Sequence, residues 1–465
     1  MDPSSKPEQS AELPIMPDAV VELVNMLDSG ESYDTIYRTL MQSAMVDAIA
    51  DKMYLGGNEM RLLLHSLSPK LLRSVLMKTL GPDLYDPDFS TKANEENIFK
   101  SNGAGAYVVF VSVEGRKGKF LCAREVRELI GLLRKYVSAV DVYQAWKQSD
   151  SYSAGQLADS KDDIVKAMEI DDVLRFTAEY DLENLDDLNL TRFDPRWASQ
   201  SKKKQMLEGK DVCITEAIVS LIAMLEKRLI PGVDEEVYQM QSPLMVGNAG
   251  HITRRAESHI PSPWLGSSTP SVWGLLLSCL SVMGVKPVAR YVTLLRAWED
   301  KEQVNVAETL GTVLAGSMIT VDGCNVKQPG TRGADNVPDS EFEATRKYIF
   351  AGKPWFKSNL RRSRSELPNN PTERLWVTVA SARKKREEIR ILLEENKQAK
   401  AKLETAKQEY KEVYADSVAN LHETETIIED GSSFAAALGE TLLALSSPPS
   451  QKPIAIRQPP GSDHP

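Results

Sequence analysis

The sequence predicts a mainly α-helical protein with two helical lobes, one or two small β-hairpins, a long charged C-terminal helix and disordered ends. Three observations lead to this prediction. Apolar residues recur at three- and four-residue intervals through most of the chain, which is the spacing of one helix face. Two short stretches rich in β-branched residues adjoin turn residues, which is typical of hairpins. A length of 465 residues exceeds one hydrophobic core, so more than one compact unit is expected.

The first predicted lobe spans residues 18–235. It follows an N-terminal segment, residues 1–17, whose Pro, Ser and Glu content predicts a disordered arm. Asp18 precedes an apolar run that Gly30 ends, which is the arrangement of a helix N-cap and a helix stop. Further helices are predicted wherever apolar residues repeat between turn signals, at 33–53, 59–67, 69–80, 123–146 and 212–229.

A β-hairpin is predicted near residues 107–122 of this lobe. Residues 107–113 are mainly β-branched and aromatic, and such residues favour strands. The turn that follows contains glycine, and its tip carries three basic residues, Arg116, Lys117 and Lys119. The sequence therefore predicts a positively charged loop at one end of a small β element.

The second predicted lobe spans residues 236–371. Its most apolar helix, 272–283, contains small residues that permit close packing at the centre of the lobe. Asp322 and Gly323 follow a β-branched stretch, and an Asp-Gly pair readily adopts the positive φ angles of a type I′ turn. A second hairpin is therefore predicted near residues 318–327.

Residues 372–430 predict one long charged helix or a broken pair of helices. Eight positions follow the alternating three- and four-residue steps of a coiled-coil seam, namely Ile389, Leu392, Asn396, Ala399, Leu403, Ala406, Tyr410 and Val413. Alanine and asparagine bury little apolar area in a seam, so a helix lying on its own lobe is an alternative to a dimer. Residues 431–465 predict a short apolar tail helix, which could dock on a neighbouring subunit, and a Pro-rich disordered tail.

The residue content gives no sign of catalysis, of a cofactor or of a metal site. The four cysteines lie tens of residues apart without histidine at ligand spacing, which predicts reduced thiols in place of zinc ligands or disulfides. Gly103 and Gly105 precede a strand, whereas a phosphate-binding loop follows one. No stretch matches a secretory leader or a membrane span. We therefore expect a protein that is not an enzyme and does not enter a membrane.

One segment near the C-terminus combines basic and aromatic side chains more densely than the rest of the chain: Lys353, Trp355, Phe356, Lys357, Arg361, Arg362 and Arg364. Cations attract phosphate, and a flat ring stacks on an unpaired base, so this mixture is typical of contacts with single-stranded nucleic acid. The segment is equally compatible with a structural role, in which Trp355 and Phe356 fill the lobe and the arginines are only solvated. Residues 361–365 also fit a basic kinase site.

Other basic clusters lie far apart in the sequence. Besides the loop at 116–119, they comprise Lys202, Lys203, Lys204, Arg254, Arg255 and the run 383–386. The net charge of the chain is −10, so nucleic acid must be held by a local basic groove and not by overall charge. The hypothesis is that these clusters converge to line one groove.

The two apolar helical blocks, the scattered basic clusters and the extended ends at 1–17 and 431–465 together resemble nucleocapsid or coat proteins of negative-strand RNA viruses, of the rhabdovirus-like and ophiovirus-like kind. The resemblance is one of organisation. It implies a structural nucleoprotein that encapsidates single-stranded RNA between two lobes and forms homo-oligomers through its terminal arms. It also implies a location in the virion and the host cytoplasm or nucleus, and a viral polymerase or phosphoprotein as a further partner.

Two other functions remain open from the sequence. The long charged helix at 380–428 departs from the nucleocapsid organisation and, with the Pro-rich tail, is compatible with an intracellular scaffold or adaptor. The basic runs at 202–204 and 383–386 are compatible with a DNA-associated regulator that enters the nucleus.

Overall fold

The computed structural model describes residues 16–86, 89, 98–100, 103–148, 159–182, 190–198, 215–266, 269–330, 337–366 and 371–446. Two compact units are defined by their internal contacts, Met1–Leu367 and Pro368–Pro465. The described chain is mainly helical with a small β-sheet, which confirms the predicted fold class.

Helices make up most of the first unit. In chain order they are α1 (Asp18–Asp28), α2 (Tyr33–Gln42), α3 (Ala50–Ser66), α4 (Pro69–Met77), α5 (Leu80–Asp83), α6 (Ala123–Gln148), α7 (Lys161–Asp172), α8 (Glu216–Glu226), α9 (Ile252–Glu257), α10 (Ser271–Val282), α11 (Lys301–Ala315), α12 (Asp339–Gly352) and α13 (Pro354–Ser365), with short 3₁₀ helices at Ala44–Ile49 and Leu190–Arg192. None of the helices in the described ranges is long and apolar enough to cross a membrane.

A three-stranded antiparallel sheet lies between these helices. Its strands are β1 (Gly105–Val113), β2 (Leu244–Ala249) and β3 (Pro287–Arg296), in the spatial order β2-β1-β3. Val108 pairs with Val246 on one side and with Val292 on the other. β1 is buried along all nine residues, and a central strand covered on both faces needs apolar residues at nearly every position. This requirement explains its β-branched and aromatic sequence.

The hairpin predicted near 107–122 is present only as its first strand. The backbone N–H of Val113 donates to Lys119, but the chain then leaves β1, and Phe120 donates to Gln239 instead. Both edges of β1 are occupied by β2 and β3, which come from much later in the chain. Residues 119–122 therefore cannot extend along β1 as the second strand of a hairpin.

The hairpin predicted near 318–327 is a tight turn. Two isolated bridges hold it, one between Met318 and Asn325 and one between Leu244 and Gly323. The second bridge places the turn beside the start of β2. The chain turns where the backbone N–H groups of Val321 and Asp322 donate to the carbonyl oxygen of Met318. Asp322 and Gly323 do not have the positive φ angles of the predicted type I′ turn, and the flanking residues do not form strands.

Helices pack on both faces of the sheet and form two hydrophobic clusters. On one face, Tyr107, Val109 and Val111 pack with residues of α6, α7, α8 and α10. On the other face, Val108 and Phe110 pack with residues of α1 to α4, α11 and α13. The side chains of a strand alternate between faces, so β1 contributes to both clusters in turn.

The predicted lobe boundary at 235/236 does not separate these clusters. The helices before β1 and the helices after β3 share one cluster, while the intervening chain builds most of the other. The sheet takes one strand from the first predicted lobe and two from the second. Each predicted lobe therefore contributes to both clusters, and the compact unit continues to Leu367.

The second unit contains one long helix, α14 (Pro371–Ser446), of 76 residues. The predicted charged helix at 372–430 and the predicted tail helix after it are continuous, because the helix passes through Gly431 without a break. The predicted disordered segments fall mostly on residues 1–15 and 447–465, which lie outside the described residues.

Candidate nucleic-acid interface

One face of α13 is anchored on the C-terminal end of α3. Trp355 donates its indole N–H to the carbonyl oxygen of Ser66 over 2.6 Å. The side-chain amide of Asn359 donates to the carbonyls of His65 and Leu67, at 2.9 and 3.1 Å. The last carbonyls of a helix lack partners within it, so α13 supplies donors that α3 needs. These contacts fix the orientation of α13.

Trp355 does not present a stacking surface. It is 8% exposed, Phe99 packs against it edge to face, and the ammonium of Lys353 lies 4.8 Å from its ring centroid. Phe356 is 1% exposed. Trp355 and Phe356 therefore fill the interior, which was the alternative to RNA contact. Neither ring can stack on a base in this conformation.

Lys353 is also part of the interior. It is 4% exposed, and its ammonium donates to the carbonyl oxygen of Ile98 over 3.1 Å. The rings of Tyr348, Trp355 and Phe99 surround the ammonium at 4.8 to 5.6 Å. Cation–π contacts and one hydrogen bond stabilise this buried charge. The sequence predicted that Lys353 contacts phosphate, but its buried position does not allow that contact.

The opposite face of α13 is basic and exposed. Lys357, Arg361 and Arg364 follow the i, i+4, i+7 spacing of one helix stripe, whereas Arg362 points to another side of α13, with its guanidinium close to Gly30. Lys357, Arg361 and Arg364 are exposed and have no ion-pair partner among the described residues. These three residues are called the α13 basic face below. Because the other side of the helix is anchored, the helix holds these three cations in a fixed position on the surface.

Three exposed arginines of α6 differ from this face because each is ion-paired with a carboxylate. On α6, Arg124 pairs with Glu236, Arg127 with Glu235 and Arg134 with Glu226, all within 2.8 Å. A paired guanidinium attracts an incoming phosphate less than an unpaired one. The α13 basic face is thus a local positive surface on an acidic chain.

One exposed ring adjoins the α13 basic face, and the sequence analysis missed it. Phe350 on α12 is 43% exposed and packs edge to face on Phe356, with ring centroids 4.9 Å apart. Phe356 directly precedes Lys357, and the exposed Lys347 lies one turn before Phe350 on α12. In the sequence, Lys347 and Phe350 form a second basic-aromatic pair, a few residues upstream of residues 353–364.

Ser363, His65 and Asp34 form a polar cluster beneath α13. The hydroxyl of Ser363 lies 2.9 Å from His65 Nε2, and His65 Nδ1 lies 2.8 Å from the carbonyl oxygen of Arg61. Since Nδ1 must donate to that carbonyl, Nε2 accepts from the serine. Burial lowers the pKa of His65 and favours this neutral ring. The carboxylate of Asp34 faces Nε2 at 3.5 Å and does not orient Nδ1. The cluster differs from a catalytic triad in that respect and joins α13 to α2 and α3.

The basic loop after β1 is largely a structural turn. Arg116 forms two hydrogen bonds, 2.6 and 2.8 Å long, with the carboxylate of Glu125, and its guanidinium lies 4.1 Å above the ring of Tyr238. Lys117 is exposed and Lys119 is half-buried. Arg116 therefore closes the turn and is not available to phosphate as predicted.

The cluster at Arg254 and Arg255 does not converge with this loop. Arg254 is exposed and Arg255 half-buried on α9, which follows β2. Gly105 at the start of β1 pairs with the end of β2, whereas the basic loop follows the end of β1. Nine strand residues span roughly 27 Å, so the two clusters lie at opposite ends of the sheet. Lys202, Lys203 and Lys204 lie outside the described residues.

The structure thus separates the loop at 116–119 from Arg254 and Arg255. Of the candidate residues that the structure describes, Lys357, Arg361 and Arg364 share one exposed face of α13. Within the described ranges, no group of three His, Cys, Asp or Glu side chains is placed to hold a metal ion.

Comparison with known proteins adds no further constraint. No protein-family model matches the chain, and neither the curated proteins nor the solved structures contain a match. The functional argument consequently depends on the geometry of the chain itself.

Proposed function

We propose that this protein is a structural nucleoprotein that binds single-stranded RNA through the α13 basic face and self-assembles. The observation that supports the proposal is the set of three exposed cations, Lys357, Arg361 and Arg364, on a helix whose other face is anchored by Trp355 and Asn359. Under this proposal the protein acts in the virion and the host cell, and a viral polymerase or phosphoprotein recognises the assembled complex.

The chemistry of the face favours a flexible, single-stranded ligand. Residues four apart on a helix are separated by about 6 Å along its axis, so Lys357 and Arg361 can contact successive phosphates of a strand that adapts to them. Phe350 offers a partly exposed ring beside these cations, and a ring can stack on a base only where the base is unpaired. Base-specific contacts are not required for encapsidation.

Replacing Lys357, Arg361 and Arg364 with alanine tests the proposal. Each lost phosphate contact lowers the salt dependence of single-strand binding by about 0.7 in log K per log[salt], so the triple variant should lose about 2. We also expect affinity for a labelled single-stranded RNA to fall at least tenfold at low salt. Fluorescence anisotropy over a range of salt concentrations measures both quantities.

The matched control replaces Arg124, Arg127 and Arg134 with alanine. This variant loses the same three positive charges from exposed positions, but those arginines are ion-paired on α6. It should bind RNA nearly as well as the unmodified protein. Equal losses in both variants would show that only overall charge matters, and unchanged binding in the α13 variant would refute the proposed face.

A scaffold function is the second candidate, and the exposed apolar side chains of α14 favour it. Ile389, Leu392 and Val413 are each more than half exposed in the second unit. A chain ending at Leu367 separates the two functions, because it removes α14 and retains the whole first unit. The scaffold hypothesis expects the shortened chain to lose its protein partners and expects no RNA binding by either chain, whereas encapsidation expects both the full-length and the shortened chain to bind RNA.

A further inference from the structure

The apolar side chains of α14 form a continuous stripe. Positions a and d of successive heptads are occupied by Ile389, Leu392, Asn396, Ala399, Leu403, Ala406, Tyr410 and Val413. The five large apolar members are between 54% and 71% exposed. Regular spacing of exposed apolar residues at steps of three and four is the pattern that a second helix covers in a coiled coil.

Nothing described in the second unit covers this stripe. The unit consists of α14 alone among its described residues, and most of the stability of a helix in a protein comes from packing of its apolar face. Its surface carries many charges in addition to the stripe, which makes it suited to a solvent-exposed coiled coil of two chains.

Asn396 indicates which helix covers the stripe: α14 of a second copy of the chain, in parallel orientation. At an a position of a parallel pair, Asn396 faces Asn396 of the partner subunit, and the two amides hydrogen-bond to each other. In a fully overlapped antiparallel pair, Asn396 would face an alanine, Ala406, and its amide would be buried without that partner. A polar residue at a single a position therefore favours the parallel homodimer.

The charges that flank the stripe agree with this orientation. In the parallel pair, Glu395 at position g lies opposite Lys400 of the partner subunit at position e, which is attractive, while Lys402 lies opposite Lys407 of the partner subunit, which is repulsive. The fully overlapped antiparallel pair places like charges together at all three corresponding sites, Lys400 with Lys400, Lys402 with Lys402 and Glu395 with Glu409. The parallel pair has the smaller electrostatic cost.

We propose that α14 forms a parallel, two-stranded coiled coil with α14 of a second copy of this chain, in the register that pairs Asn396 with Asn396. This inference goes beyond RNA binding and does not depend on it. It supplies a defined building unit, a dimer joined through the second unit, from which a larger assembly can grow.

A single cysteine at Ser417 tests orientation and register together. Ser417 is exposed and occupies the next a position after Tyr410, so in the proposed dimer it meets Ser417 of the partner subunit. In the fully overlapped antiparallel pair the two would lie about 48 Å apart, because each is sixteen residues from the centre at residue 401. The control is Gln408→Cys, an exposed f position that points away from the partner. The cysteines described in the chain are buried.

The experiment uses the full-length chain at micromolar concentration under mild oxidation. We expect Ser417→Cys to form a disulfide-linked dimer at least tenfold faster than Gln408→Cys, and sedimentation to show a dimer that Leu403→Asp converts to monomer. Equal cross-linking of the two cysteine variants would overturn the parallel register. A monomer in the unmodified protein after RNase treatment would overturn the coiled coil altogether, whether or not the protein binds RNA.

Discussion

At the scale of single residues, Asp171 illustrates how burial sets the chemistry of a side chain. It has no exposed surface, and its carboxyl oxygens accept hydrogen bonds from the Tyr136 hydroxyl, at 2.8 Å, and from the backbone N–H of Arg196, at 3.0 Å. Desolvation outweighs these bonds and raises the pKa of Asp171 to about 7, from an ordinary value of 3.8. Folding therefore favours the protonated carboxyl group.

Asp171→Asn should remove a pH dependence of stability. Because the folded pKa is raised, the stabilisation that Asp171 provides is complete below about pH 4 and is lost as the pH rises through 7. Relative to Asp171→Asn, the unmodified protein should lose up to about 1.4 kcal/mol of unfolding free energy per pH unit in that window. Urea unfolding between pH 4 and 8 measures this difference.

Asp162→Asn is the matched control for this prediction, because it removes a carboxylate from an exposed position of the same helix, α7. Its stability should follow that of the unmodified protein across the pH range. Parallel curves for Asp171→Asn and the unmodified protein would contradict the assignment of a raised pKa to Asp171.

The residues of α13 show what the sequence could and could not predict at this scale. Composition alone identified the segment, but it assigned Trp355 and Lys353 to the RNA surface. Their partners, the carbonyls of Ser66 and Ile98, lie more than 250 positions away in the chain, so no local pattern indicates them. The sequence does show the two faces of this helix by their spacing. The exposed face carries Lys357, Arg361 and Arg364, and the buried face carries Trp355, Asn359 and Ser363.

At the scale of elements, the turn after β1 depends on a close approach between two backbones. Gly118 has a φ of 84°, and a Cβ atom there would lie 2.2 Å from the carbonyl oxygen of Gly81. Backbone atoms cannot move aside as the end of a flexible side chain can, so a side chain at 118 would push the turn away from α5.

Gly118→Ala should therefore destabilise the first unit more than Gly115→Ala does. Gly115 has a similar φ of 79°, but a Cβ atom there would meet no atom within 4 Å. The backbone cost of alanine is shared by both variants, so the difference isolates the contact with Gly81. We expect that difference to be about 1–3 kcal/mol in unfolding free energy, measured by urea titration. Equal stabilities would refute the close approach.

The strands show why element pairing is harder to predict than element type. The β-branched content of residues 107–113 identified β1 correctly, because a buried central strand requires such residues. Its partners, β2 and β3, begin more than 100 residues later, and a local turn offered a nearer but incorrect candidate. Strand pairing depends on which edges are free in the folded chain, and that information is not local.

At the scale of the whole chain, the order of helices along the sequence does not match their grouping in space. Helices α1 to α4 and α11 to α13 share one face of the sheet, although the chain of the other face lies between them. The sequence predicted boundaries at 235/236 and at 371/372, and the internal contacts of the chain divide it between Leu367 and Pro368. Apolar periodicity predicts which residues are buried and leaves open which cluster they join.

The distribution of exposed charges in the first unit supports the proposed function. Anchoring α13 on α3 leaves its cations exposed, whereas the arginines of α6 are neutralised by carboxylates. RNA that binds an otherwise acidic chain should therefore contact a small number of residues. Phe350, Lys357 and Arg361 are the residues that we expect to lie closest to the bases and phosphates.

Photochemical cross-linking of full-length protein to single-stranded RNA containing 4-thiouridine, followed by peptide mass spectrometry, tests this claim most directly. The proposal predicts that the strongest RNA adducts fall in the peptides of residues 347–364, and that Lys357, Arg361 and Arg364 changed to alanine together remove them. Adducts confined to other peptides, or no adducts at low salt, would contradict the α13 basic face as the RNA-binding surface.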